Sequence, residues 1–208
     1  MKLSRELIVD AGMRAFAERG YAGMSMRQIA DALDVHAGSL YYHVKNKEQL
    51  LAMLADRVAG EAYDAGAAAL ASLPPEASWE ERVGAQLAAL RTSLRARAGA
   101  PALLAASPAL LTPAALALME RLQQTLDAAG VPAADRGVAA DTLLSYVTGF
   151  VLQEQSDTAS PPDARAAAGL AAAYPLTVAG SGSDPDTMFR SSVRVLCAGI
   201  ATLIGPAR

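Results

Sequence analysis

"SMRQIADALDVHAGSLYYHVKNKEQLL", residues 25–51, holds two short amphipathic runs and the start of a third. Ser25 is a good N-cap, and Gln28 three residues on completes a capping-box pattern. Ile29, Ala30 and Leu33 form an apolar stripe, and Asp34-Val35 ends the run after about two turns. "HAGSLYYHV" (36–44) reads as a second short helix, turned inward at Leu40 and Val44. Asn46 caps a third with Gln49 in the box position, and its stripe runs through Leu50, Leu51 and Leu54 to Val58. Two short helices joined by a tight turn suit a helix-turn-helix, whose second helix enters the major groove of DNA.

The spacing alone also suits a generic helical hairpin; the residue types favour DNA. With Leu40 and Val44 inside, Ala37, Gly38, Ser39, Tyr41, Tyr42 and His43 fall toward the outward face or the helix end. Tyrosine hydroxyls reach phosphates, and tyrosine rings can meet a thymine methyl. His43, Lys45 and Lys47 add donors or charge on the same edge. Lys47 follows the cap of its helix, so its side chain and the free N–H groups there can meet one phosphate together. Arg27 is the one long donor fork placed to reach a guanine edge. Ser25 and Met26 beside it complete the candidate set.

Working outward, the first helix reads from Ser4 to about Arg19, with Leu7, Ile8, Ala11, Ala15 and Phe16 on one face. Gly20 is free to take the left-handed conformation that ends a helix, and Tyr21 follows as a packing residue. Beyond the quoted stretch the third run continues to about residue 65, and longer helices are expected over 78–98, 113–129, 134–155 and 185–204. Residues 156–183, rich in Ala, Gly, Ser and Pro, read as a mobile excursion with one short helix near 163–173. No repeat and no convincing strand period appears.

The composition agrees: 52% hydrophobic, dominated by alanine, with few β-branched residues, it points to an all-α protein. The net charge of −3 excludes a chain that coats nucleic acid throughout. Residues 1–57 carry eight Lys or Arg against seven Asp or Glu, and the remainder ten against fourteen, so the N-terminal part is the more basic. Cys197, the single cysteine, sits in the apolar stretch "VRVLCAGIATLI" and reads as a packed thiol. No signal-like N-terminus and no apolar run of the ~18–20 residues that span a bilayer are present, so a cytoplasmic protein is expected.

"MRQIADALDVHAGSLYYHVKNKEQLL" (26–51) resembles the DNA-binding domain of the tetracycline-repressor (TetR) family, over about residues 4–58. The resemblance implies DNA contacts at Arg27, Ala37, Gly38, Ser39, Tyr41, Tyr42, His43 and Lys47. It also implies a homodimer on double-stranded DNA with a palindromic operator. With residues 1–46 as the DNA-binding domain, 47–208 becomes a helical effector-binding and dimerisation domain. Ala37 and Gly38 have almost no side chain to read bases with, so base reading leans on Arg27, Ser39, the tyrosine rings and DNA shape.

More weakly, "GFVLQEQ" (149–155) and "MFRSSVRVLCAGIATLI" (188–204) look like the tetracycline-repressor subclass itself. Helices near 134–155 and 185–204 would then build the dimer interface. In that subclass a histidine helps to hold a drug–magnesium pair. Both histidines here, His36 and His43, are N-terminal; Leu103 or Leu104 stands at the metal position and Gln153 at that of a partner-subunit glutamate. Leucine gives a hard cation no oxygen ligand, so neither a metal nor another cofactor is expected. Residues matched by position to the effector pocket are Tyr63, Gln86, Leu90, Leu103, Leu122 and Gln153, which suit a small, mostly uncharged apolar or aromatic effector. Two other readings remain: a constitutive or protein-controlled regulator, and a helical enzyme or carrier. For the enzyme, neither a converging nucleophile and base nor a metal, esterase or phosphate-loop motif is found.

Overall fold

The computed structural model describes residues 3–105, 112–156, 163–180 and 184–205. Every regular element among them is a helix. α1 (Arg5–Gly23), α2 (Met26–Ala32) and α3 (Ala37–His43) form the N-terminal unit, and α4 (Lys47–Ala71) leads out of it. α5 (Trp79–Arg95), α6 (Ala100–Ala105), α7 (Pro113–Ala128), α8 (Ala133–Ser156) and α11 (Pro185–Ala201) build the larger unit around the rest of α4. α9 (Ala164–Ala173) and α10 (Pro175–Gly180) pack on each other and bury no residue. Residues 157–162 and 181–183 of the expected excursion lie outside the described residues; what is described of the rest is helical.

Local chemistry sets most helix starts. Ser4, Ser25, Asn46, Ser78, Asp163 and Asp184 each accept a backbone N–H of the first turn. The box at Ser25 and Gln28 forms as expected. That at Asn46 is shifted: Asn46 Oδ1 accepts from Gln49 N at 2.8 Å, but Gln49 Oε1 reaches back to Lys45 N at 2.7 Å. Gly20 has φ +64° and breaks the α1 helix, which resumes for one short turn. Tyr21 is not in the core, as the sequence suggested: it is exposed beyond that break. Asp34 takes φ +52° between α2 and α3, where a short polar side chain tolerates the left-handed region.

One apolar core runs through both units. Leu40, Val44, Leu50 and Leu54 are fully buried together with Ile8 and Ile29, and Val58 and Ala62 continue the buried stripe along α4. Three polar links fix α4 to the larger unit. Asp56 Oδ1 accepts from Ala114 N at 2.8 Å, capping α7, whose own N-cap Thr112 makes no side-chain cap bond. Glu61 grips Arg97 through two bonds of 2.7 and 2.8 Å. The Tyr63 carbonyl accepts from Arg121.

Arg91 of α5 ties the far side together. It is 7% exposed, pairs with both oxygens of Glu154 on α8 and lies 2.8 Å from Asp186 on α11. Its guanidinium also lies over the rings of Phe150 and Phe189. The Glu154 hydrogen bonds hold its pKa above the ordinary arginine value, against the opposing effect of burial. Arg91→Ala leaves the enclosed Glu154 carboxylate with only the longer contact to Arg95, at 3.8 Å from an exposed side chain. Urea unfolding is expected to show a loss of about 3–5 kcal/mol, and a loss below about 1 kcal/mol would contradict the tie.

Candidate nucleic-acid interface and effector region

The N-terminal unit turns a polar, aromatic edge outward because its apolar residues are used inside. Leu40 and Val44 pin α3 down, leaving Gly38, Ser39, Tyr41 and Tyr42 exposed; Tyr42 is 89% exposed. Tyr42 and His43 meet edge to face at 5.3 Å. Ala37 is half-buried, and Gly38 faces open space, with no atom within 4 Å of where a Cβ would stand. Arg27 is exposed in the first turn of α2, and Ser25 is occupied as its cap. Met26 differs from the sequence reading. Its side chain is only 8% exposed and belongs to the core, because the turn that exposes Arg27 points its neighbour inward.

Lys47 stands where expected, at the start of α4, with a partner the sequence did not suggest. Its ammonium lies over the Tyr21 ring, 4.1 Å from the centroid. The break at Gly20 carries Tyr21 there, and no local pattern links residues 26 positions apart. The α4 cap satisfies Gln49 N, leaving Lys47 N and Glu48 N without a hydrogen-bond partner among the described residues. That end of α4 offers two free donors and a held cation, next to the acid of Glu48.

The six effector candidates separate into two groups. Gln86, Leu90, Leu103 and Leu122 are buried and Tyr63 is half-buried, on α4, α5, α6 and α7. Gln153 is exposed on α8 and does not join them within one chain. Gln86 is fully engaged: its Nε2 donates to the Arg82 carbonyl at 3.2 Å and Thr125 Oγ1 at 2.8 Å, and its Oε1 accepts from Arg121. Arg121 is the polar side chain that sequence matching missed. A signal existed, since it falls three residues after Leu118 on the buried stripe of α7, where a cation is out of place.

A separate open groove of about 610 Å³ lies between α5 and α11. Phe189, Val193 and Cys197 line it, with Glu80, Glu81, Arg190 and Arg194 also present, and none of the six candidates does. Burial pushes the Cys197 thiol up to about 11, which keeps it a protonated, packed group as the sequence suggested. Among the described residues, no helix is long and apolar enough to cross a membrane.

A helix-turn-helix with an exposed aromatic second helix, carried on an all-helical body, defines a class of DNA-binding regulator. Residues 8–54 match the bacterial regulatory proteins of the tetR family, and residues 71–204 match the tetracyclin repressor-like C-terminal domain. The chain belongs to the tetR family, whose members are DNA-binding transcriptional regulators and not enzymes. It is 36% identical over 154 residues to an HTH-type transcriptional regulator of Saccharopolyspora erythraea, covering 73% of this chain but 61% of that relative's length. It is 29% identical to the class D tetracycline repressor protein of Escherichia coli over 80% of this chain and 73% of that protein. In structure it resembles BioQ crystallised with its double-stranded DNA operator, with a TM-score of 0.69 and 27% identity over 97% of this chain and 99% of that one.

Gly38→Ala separates surface from core at α3. A methyl group there meets open space and improves helix propensity, so the melting temperature is expected to hold or rise. DNA affinity, read by fluorescence anisotropy, is expected to fall because the added methyl crowds the groove. Unchanged affinity would remove α3 from the interface. Lys47→Ala is expected to weaken binding to all sequences alike and to flatten the log K against log salt slope by about one unit.

Proposed function

We propose that this protein is a ligand-responsive repressor. It holds a palindromic operator as a homodimer and releases it when a small, largely apolar or aromatic effector binds in the larger unit. The observation that carries this reading is α4. Its first turns share a core with α2 and α3, while Asp56, Glu61 and Tyr63 are bonded to α7 and to the turn between α5 and α6. A change at α7 therefore has a rigid route to the recognition helix.

On this reading residues 1–46 read DNA and 47–208 form the effector and dimer domain. The division is functional and does not mark a gap in packing, since Leu50 and Leu54 belong to the N-terminal core. Arg27 and Ser39 read base edges, Tyr41, Tyr42, His43 and Lys47 hold the backbone, and Ala37 and Gly38 let α3 approach closely. The homodimer reading is supported by apolar side chains left exposed on two helices, Val138 and Leu152 of α8 and Met188 and Val195 of α11. A second subunit on that face would bring its Gln153 to a pocket that one chain alone does not give it. The relative named a tetracycline repressor, and BioQ with its operator, support repression and operator binding respectively.

Release requires the effector to bind the non-matching state of the dimer better than the operator-bound one. Tyr63→Ala is expected to change the effector concentration needed for release while leaving operator affinity near wild type, both read by fluorescence anisotropy. Equal loss of operator binding would show that Tyr63 supports the DNA-reading state itself and would sink the lever.

A further inference from the structure

The fold brings Tyr63 and Gln86, two of the residues matched by position to the effector pocket, onto Arg121. Its Nε donates to Gln86 Oε1 at 3.3 Å and its Nη1 to the Tyr63 carbonyl. The guanidinium also lies over the Tyr63 ring, 4.2 Å from the centroid. Thr125, one turn on, donates to the Arg121 carbonyl and accepts from Gln86. Gly66 completes the seat, since a Cβ there would stand 2.3 Å from Arg121 Nη2. Three helices are shaped around this cation.

Among the described residues it has neutral acceptors and no carboxylate at ion-pair distance. Arg57, Arg91, Arg97 and Arg136 each pair with a carboxylate, and Arg121 pairs with none among the described residues. Its Nη2 donates to no group among them. Burial lowers its pKa below the ordinary arginine value, only partly offset by Tyr63 and the exposed Asp64. Joining three helices through neutral acceptors needs no charge, and a half-buried guanidinium with a donor left over is placed to take an anion. The free edge of a planar guanidinium is shaped for the two oxygens of a carboxylate.

We propose that the effector is an amphiphilic carboxylate whose carboxyl group pairs with Arg121 at the junction of α4, α5 and α7. Its apolar or aromatic body is that of the effector proposed above. This rests on the effector-responsive reading and changes it in one respect, because the ligand carries a charge where an uncharged one was expected. Since Arg121 touches Tyr63 of α4 directly, occupancy of the site acts on the same helix that bears Lys47.

The test uses the full chain and two probes of one shape, 1-naphthoate and its methyl ester. Binding is followed by thermal shift and by the fluorescence of Trp79. The acid is expected to bind at least about tenfold more tightly than the ester, a difference of about 1.4 kcal/mol. Arg121→Gln is expected to abolish that preference and leave ester binding unchanged, and Arg121→Lys to keep a weakened preference. The proposal is overturned if the ester binds as well as the acid, if the acid shows no saturable binding, or if Arg121→Gln retains the preference. Failure of both variants to fold would make Arg121 a structural tie and overturn it equally. An operator selected in vitro separates the two readings. An acid that binds through Arg121 without releasing DNA leaves the site standing and removes the effector role. Release by acid and ester alike keeps the effector role and removes the carboxylate.

Discussion

A single helix has to belong to two units. α4 begins beside the DNA-reading edge, with Leu50 and Leu54 fully buried in the packing of α1, α2 and α3, and runs 25 residues to Ala71. A helix of that length spans roughly 38 Å. Neither end moves without displacing close-packed side chains, and on the proposed mechanism a shift at Tyr63 reaches Lys47 as a tilt. The polar links of α4 reinforce this. Asp56 supplies the cap that α7 lacks, Glu61 grips Arg97, and Tyr63 receives Arg121.

A second connection joins the two units without passing through α4. Gln155 of α8 accepts from Gly99 N at 3.1 Å and donates to the carbonyls of Leu94 and Arg97, closing the turn between α5 and α6. Gly99 has φ +79°, and its Cα face approaches the Phe16 ring so closely that a Cβ would stand 3.1 Å away. The C-terminal end of α8 therefore bears on α1 through one glycine. Arg91 joins α5, α8 and α11, and α4 and Gly99 both bear on the N-terminal unit.

Much of this was legible in the sequence because much of it is local. Caps at Ser25 and Asn46, the left-handed Gly20 and stripes of period 3.6 are written within a few residues, and those helices start where expected. α6 and α10 were not legible: each is six residues, too short for a period to show, and α6 leans on Gln155 from more than fifty residues away. α4 runs to Ala71, past its expected end near residue 65, and Arg121 packs against it at Gly66. At the candidate interface the exposed tyrosines followed from burying Leu40 and Val44. The inward turn of Met26 and the Tyr21–Lys47 contact depend on how α1 and α2 meet, which no single stretch encodes.

On the proposed reading, two copies of α3, held at a fixed separation, read a two-fold symmetric DNA site. Selection from a random duplex library by the purified full chain, followed by sequencing, tests it most directly. Enrichment of an inverted repeat is expected, with half-site centres about one helical turn apart, or a multiple of that, roughly 34–36 Å for one turn. A library that stays random, or enrichment of a single asymmetric site bound by one chain, would contradict it.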